Sequence, residues 1–210
     1  MLKKRVAVLV SGGGTNLQAL LDSQSRGENP NGEIVLVVAS KPGVYALERA
    51  ANAGVEGCVV RRKDYADSAD FDAALLHTLR SHNIDIVVLA GFLSVLGPSV
   101  IEAYPNRILN VHPALIPSFC GEGFYGLRVH EEALRYGVKV TGATVHFVNE
   151  TCDGGEIIAQ KAVYIEDGDT PEILQRRVME QAEWKILPRA ARLFCQGKIT
   201  VKDGKAFVTE

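Results

Sequence analysis

The chain has 210 residues, 47% of them apolar and 23% charged, with a formal net charge of −2. That length suits a single domain, or two lobes sharing one sheet, with enough apolar residues for a sizeable core. The slightly acidic balance argues against a dedicated nucleic-acid binder, which needs a strongly basic face, while leaving room for a local basic patch around a phosphate.

In chain order, residues 5–10 form a continuous apolar strand that ends at Ser11-Gly12-Gly13-Gly14. A basic start before so short an apolar run imitates a secretory signal, but the run breaks too early. A helix over 15–25 follows, with Leu17, Leu20 and Leu21 on one face, then a turn over 27–32. Residues 33–40 are a second buried strand, 45–53 a helix stopped by Gly54, and Val59-Val60 a short third strand. Helical spacing of Phe71, Leu75, Leu76 and Leu79 covers 71–81, and 85–90 is another buried strand. This alternation implies a mostly parallel, twisted α/β sheet in the amino-terminal half, Rossmann-like and flanked by helices.

The second half changes character. A short strand over 107–111 runs into His112-Pro113, and a loop rich in Pro, Gly and aromatic residues occupies 113–126. A helix over 127–136 precedes two alternating runs, 140–148 and 156–165, which read as antiparallel strands. Pro171 opens a long helix that extends to about residue 195. Asp203-Gly204 joins two short strands into a terminal hairpin. No later run approaches a membrane-spanning length, so the expectation is a soluble protein with no membrane partner. Cys58, Cys120, Cys152 and Cys195 are scattered, fitting neither a disulfide framework nor a zinc site, and suit a reducing cytoplasm.

Three segments carry chemistry. The strand–glycine loop–helix at 11–16 favours an anion through backbone N–H groups and the helix N-terminus. It is not a nucleoside-triphosphate loop, because Asn16 stands where lysine is needed, nor a dinucleotide fingerprint, because Leu17 replaces the third glycine. A phosphorylated small substrate fits it better, with Thr15 and Asn16 adding donors; a tight turn with no ligand is the plainer alternative. Asn110 and His112 are two apart at the carboxyl end of a strand, so their side chains leave the same face, where open α/β sheets carry their ligands. Both can donate to a developing oxyanion, and His112 can also move a proton near neutrality. Finally, His146 lies on a strand next to Cys152-Asp153-Gly154-Gly155, and a carboxylate at Asp153 would raise the pKa of His112 if it came near. No acid–histidine cluster has metal-ligand spacing.

Taken together, the loop at 11–16, Leu89-Ala90-Gly91-Phe92, the run from Asn110 through His112-Pro113 to Pro117, the strand from Gly142 to Val148, and Asp153-Gly154-Gly155 resemble the folate-dependent phosphoribosylglycinamide formyltransferase family of purine synthesis. The resemblance covers essentially the whole chain. It implies the formyltransferase fold as one domain over 1–210, with a nucleotide-phosphate-binding lobe over about 1–100 and a catalytic and folate-binding lobe over about 101–210. It implies a formyl group carried from 10-formyltetrahydrofolate, as co-substrate, to the amine of phosphoribosylglycinamide, with no metal and no nucleic acid, in a cytoplasmic monomer or homodimer. By motif, Asn110, His112 and Asp153 match the catalytic trio, with His146 and Thr144 supporting it from behind. Gly14, Thr15 and Asn16 match the phosphate grip, and Glu183 the acid that meets the substrate's amine end. Leu93, Ser94, Val95 and Leu96, with Asn110 and the backbone of about 150–153, match the slot for the folate ring. Some family members carry arginine where Ser94 stands and a basic residue near Ser68, so Arg61, Arg62 or Lys63 is the candidate contact for the folate tail. A formyltetrahydrofolate hydrolase, and a binding module without turnover, are the competing readings.

Overall fold

A computed structural model describes residues 2–209. Seven strands form one sheet in the order β3-β2-β1-β4-β5-β6-β7. The strands are β1 (Lys4–Val10), β2 (Gly32–Ala39), β3 (Glu56–Val59), β4 (Ile86–Leu89), β5 (Ile108–His112), β6 (Val140–Phe147) and β7 (Ile157–Tyr164). The first five pair in parallel, while β5–β6 and β6–β7 are antiparallel, so the direction changes where the sequence pattern changes from continuous to alternating apolar residues. A separate two-stranded ribbon, β8 (Ile199–Lys202) and β9 (Lys205–Val208), turns at Asp203 and Gly204, both at positive φ.

Both faces of the parallel strands are buried, which is why these strands read as unbroken apolar runs. Val6, Val8, Val10, Val88 and Leu109 point into one core cluster, shared with Leu17, Leu20 and Leu21 of α1 (Thr15–Ser25) and with the last helix. Ala7, Leu9, Val87, Leu89 and Ile108 point into the other, against Phe71, Leu75 and Leu79 of α3 (Ser68–Ser81). The helix α2 (Tyr45–Asn52) lies beside α1. No helix among the described residues is long and apolar enough to cross a membrane.

Several expectations are corrected. The third strand is Glu56–Val59 rather than Val59-Val60. It is an edge strand with Glu56, Gly57 and Val59 exposed, so it pairs through its backbone without an apolar run to mark it. A short helix not read from the sequence, α4 (Pro98–Ala103), starts at Gly97-Pro98. Its first turn rests on buried Asp72 of α3, which accepts from Gly97 N at 3.1 Å and Ser99 Oγ at 3.0 Å. A Cβ at position 97 would collide with that carboxylate.

The expected helix to residue 195 divides into α6 (Pro171–Val178), a π-helical turn (Met179–Glu183) and α7 (Trp184–Cys195). Pro188 lies inside α7 and cannot donate to the carbonyl four residues back, which loosens the ladder just after the π turn. Such turns insert one extra residue and re-aim the side chains around it. The remaining helix, α5 (Leu127–Tyr136), ends at Gly137 in the left-handed conformation.

The turn after β6 depends on one close approach. A Cβ at Gly155 would sit on the carbonyl oxygen of Phe147. Gly155→Ala is therefore expected to destabilise the protein by about 1–3 kcal/mol or more, read as a lowered midpoint in urea, because backbone cannot yield as a flexible side chain can. An unchanged midpoint would show that the turn is looser than this contact implies.

Candidate active site

Strand β5 carries Asn110 and His112 on one face, as their spacing requires, and β6 runs antiparallel beside it with Asn110 opposite His146 and His112 opposite Thr144. The turn after β6 swings back and places Asp153, at φ 54°, against Asn110, His112 and His146. Asp153 Oδ2 lies 3.5 Å from His112 Nδ1 and accepts from Gly121 N at 2.9 Å. Its other oxygen, Oδ1, lies 3.5 Å from His146 Nε2 and 3.4 Å from Asn110 Nδ2. Asn110 Nδ2 is also 3.1 Å from His146 Nε2. His146 Nδ1 meets the Phe147 carbonyl at 2.6 Å, which fixes the ring. Thr144 Oγ1 donates to Ala114 O at 2.7 Å and accepts from Ile116 N and from Gln160 Nε2, pinning the start of the loop that follows His112. Of the two residues expected behind the trio, His146 touches Asn110 and Asp153, whereas Thr144 bonds the loop after His112 and Gln160.

The electrostatics correct one expectation. Proximity of Asp153 does pull His112 towards the charged form, but burial opposes it more strongly and the net pKa is below that of ordinary histidine. The His112 side chain is only 5% exposed, and its Nε2 bonds the Phe119 carbonyl at 2.8 Å. Its resting state at neutral pH is therefore the neutral imidazole, not the imidazolium expected from the carboxylate alone. Another buried histidine, His130 on α5, is pushed down to about 4 by burial, with His112 adding to the effect. For Asp153, burial raises the pKa, yet His146, His112 and the Gly121 amide together outweigh it and hold the group below the usual carboxylate range. Asp153 is thus an ionised acceptor facing a neutral imidazole and an amide donor.

The glycine loop lies at the end of β1. Gly14 adopts φ 73° and caps α1, and a Cβ there would come within 2.7 Å of Ala46 Cβ, so this position needs glycine. Thr15 is half-buried, with its hydroxyl 3.7 Å from Met179 Sδ. Asn16 differs from expectation: its Nδ2 donates to Glu183 Oε2 at 2.6 Å beneath the helix start, and its buried Oδ1 finds no partner among the described residues. It is therefore not turned towards an anion at the loop. The positive charge at the loop comes instead from Arg49 of α2, missed in the sequence. Its Nε donates to Gly13 O at 2.8 Å and its Nη1 to Gln18 Oε1 at 2.8 Å, while the guanidinium stacks 4.7 Å over Tyr45. An arginine inside an ordinary amphipathic helix gave no local signal of this reach. Arg49, Thr15, Gln18, Asp22, Arg26 and Trp184 line a cleft of about 290 Å³ along α1.

Glu183 ends the π turn and is 5% exposed. Burial raises its pKa to about 7, with the Asn16 hydrogen bond acting the other way. Between the ordinary value of 4.5 and about 7 the folded chain holds a proton there that the unfolded chain does not. The associated stability is complete below the unfolded value and is lost as pH rises through 7, a difference of roughly 3 kcal/mol. In Glu183→Gln an amide can both accept from Asn16 Nδ2 and donate to the orphaned Asn16 Oδ1. The variant is expected to melt above the parent at pH 8 by scanning calorimetry, with the gap closing towards pH 5. A variant that melts lower at both values would mean that the charge is held by groups other than Asn16.

The folate-slot residues divide. Leu93 and Val95 are exposed and Ser94 half-buried, but Leu96 is taken into the core beside Val100 and Phe71. The segment is tied to the glycine loop because Leu93 N donates to Ser11 Oγ at 2.8 Å, and Ser40 Oγ bonds the same hydroxyl. Of the three basic candidates, Arg61 is engaged by Asp64 at 2.6 and 2.5 Å, and Arg62 reaches Tyr65 O at 3.3 Å. Lys63 is exposed in the same short 3-10 turn.

This fold, a parallel sheet turning antiparallel, has known counterparts. The formyl transferase family model matches residues 4–191, and the chain belongs to that family. The relatives it resembles within the family include phosphoribosylglycinamide formyltransferase of Haemophilus influenzae, 37% identical over 98% of this chain and 93% of that protein. Trifunctional purine biosynthetic protein adenosine-3 of Homo sapiens is 44% identical over 97% of this chain, which spans only 20% of that protein's length. Among solved structures, glycinamide ribonucleotide transformylase 1 of Symbiobacterium toebii superposes with a TM-score of 0.93 at 40% identity, covering 99% of this chain and 95% of that one.

Proposed function

We propose that this protein transfers the formyl group of 10-formyltetrahydrofolate to the amine of 5′-phosphoribosylglycinamide. The observation that carries this reading is the ionised Asp153 held between Asn110, an amide donor, and His112, a neutral imidazole able to take up a proton. The amine attacks the formyl carbon, and negative charge develops on the formyl oxygen. Asn110 Nδ2 donates to that oxygen; its 3.4 Å contact with Asp153 is too long to be strong, so this hydrogen is the one free to turn. His112 starts neutral because it is buried. Charge building beside it favours the imidazolium, so the proton released by the attacking amine is drawn there, with Asp153 balancing it and water completing the path. The same proton then passes to the departing folate nitrogen.

In this reading the substrate phosphate lies on the backbone amides at Gly14 and Thr15, with Arg49 supplying the charge and Glu183, buried below Asn16, holding that segment from beneath. The folate ring lies against Leu93 and Val95 and the backbone near Asp153. The test is the change in folate absorbance with and without phosphoribosylglycinamide. Loss of formyl-folate only with the ribonucleotide is the expected result. Loss without it, releasing formate, would replace the transferase by a hydrolase. Binding of a folate analogue with no loss in either condition would leave a binding module.

A further inference from the structure

The two loops that meet at Asp153 each carry a cysteine beside the contact. Cys120 precedes Gly121, whose amide donates to Asp153 Oδ2 at 2.9 Å, and Cys152 precedes Asp153 itself. The two thiols therefore flank the ends of one hydrogen bond between segments 32 residues apart. Both are free; Cys152 is exposed, and Cys120 is half-buried with its thiol donating to Pro117 O at 3.3 Å. They are near enough for a thiolate on Cys120 to oppose ionisation of Cys152. The chemistry proposed above uses neither sulfur.

We propose that Cys120 and Cys152 form an oxidisable pair, and that a disulfide between them ties the loop of residues 113–126 to the turn carrying Asp153 and switches the site off. The oxidant is a small-molecule disulfide such as oxidised glutathione. Exposed Cys152 loses its proton to solvent and its thiolate attacks one glutathione sulfur, expelling glutathione thiolate. The thiolate of Cys120 then attacks the Cys152 sulfur of the mixed disulfide and expels the second glutathione. Two protein thiols lose two electrons and two protons; the oxidant takes up the electrons, and its two thiolates are reprotonated.

Burial first, and then Asp153, keep both thiols protonated, and Cys120 and Glu122 add to this at Cys152. Thiolates are consequently scarce at neutral pH, and the pair closes under sustained rather than brief oxidation. Once closed, the bond fixes the spacing between the loop of residues 113–126 and the turn that carries Asp153, and so the placing of Asp153 against Asn110 and His112. Misplacing reacting groups by about 1 Å costs on the order of a hundredfold in rate.

The switching-off part rests on the transferase reading; formation of the bond does not. The full chain is incubated with oxidised glutathione, digested without reductant and mapped by mass spectrometry, with turnover read before and after dithiothreitol. The expected result is a peptide joining Cys120 to Cys152, turnover lower by roughly a hundredfold and recovered on reduction. Cys120→Ser, with unchanged turnover before treatment, should stop at glutathione on Cys152. Mixed disulfides without the joined peptide, or the joined peptide with full turnover, would overturn the proposal. If the reduced protein shows no turnover at all, the transferase reading fails separately. Switching off is then read from binding of a dideaza-folate analogue: lost on oxidation if the proposal holds, retained if it does not.

Discussion

Asp153→Asn is expected to lower turnover about a thousandfold or more while leaving the melting temperature close to the parent's. The fold has no reason to object. Asparagine tolerates the positive φ at this position as well as aspartate does, and its carbonyl can still accept from Gly121. What disappears is the charge. Burial already pushes His112 towards the neutral form, and Asp153 is the strongest influence opposing that push. Without the carboxylate, burial at His112 is left less opposed, and the imidazolium that takes up the amine proton is harder to form. The new amide also presents hydrogens to Asn110 Nδ2, a donor facing a donor. Measured turnover within tenfold of the parent, with normal melting, would remove Asp153 from the chemistry.

Asn110→Ala should lower kcat by a hundred- to a thousandfold and change KM little, because an oxyanion donor acts on charge that exists only in the transition state. The substitution also leaves His146 Nε2 without the donor 3.1 Å away, so some loss of stability accompanies it. A separate urea titration distinguishes the two effects. A variant whose KM rises while kcat holds would make Asn110 a contact for bound folate rather than for the developing charge.

The parallel half of the fold is legible because strands buried on both faces must be apolar throughout, as Val6 to Val10 and Ile86 to Leu89 are. Edge strand β3 escapes that logic, since exposed Glu56 and Gly57 carry no pattern. The helix at Pro98 was hidden for a different reason: it depends on Asp72, a buried acid 25 residues earlier. In the site, the same-face spacing of Asn110 and His112 is local geometry and can be read directly. Their meeting with Asp153 is set by β5–β6 pairing and the turn that follows, which no local spacing encodes. Depth of burial is a property of the assembled chain, so the neutral state of His112 and the raised pKa of Glu183 had no sequence signal. The turning of Asn16 away from the loop follows from a partner 167 residues distant.

The last helix has a consequence for how the chain is made. Leu174, Val178, Leu187 and Ala191 complete the core cluster that also holds Val6, Val8, Val10, Val37 and Leu109 on one face of the sheet. During synthesis the five parallel strands are complete when His112 has emerged, but their cover ends only at Cys195. At typical elongation rates that interval is on the order of ten seconds. Throughout it, α1 and α2 shield this face only in part. A nascent chain of this design spends those seconds as an apolar surface in search of a lid, which makes it a natural client for chaperones that hold growing chains.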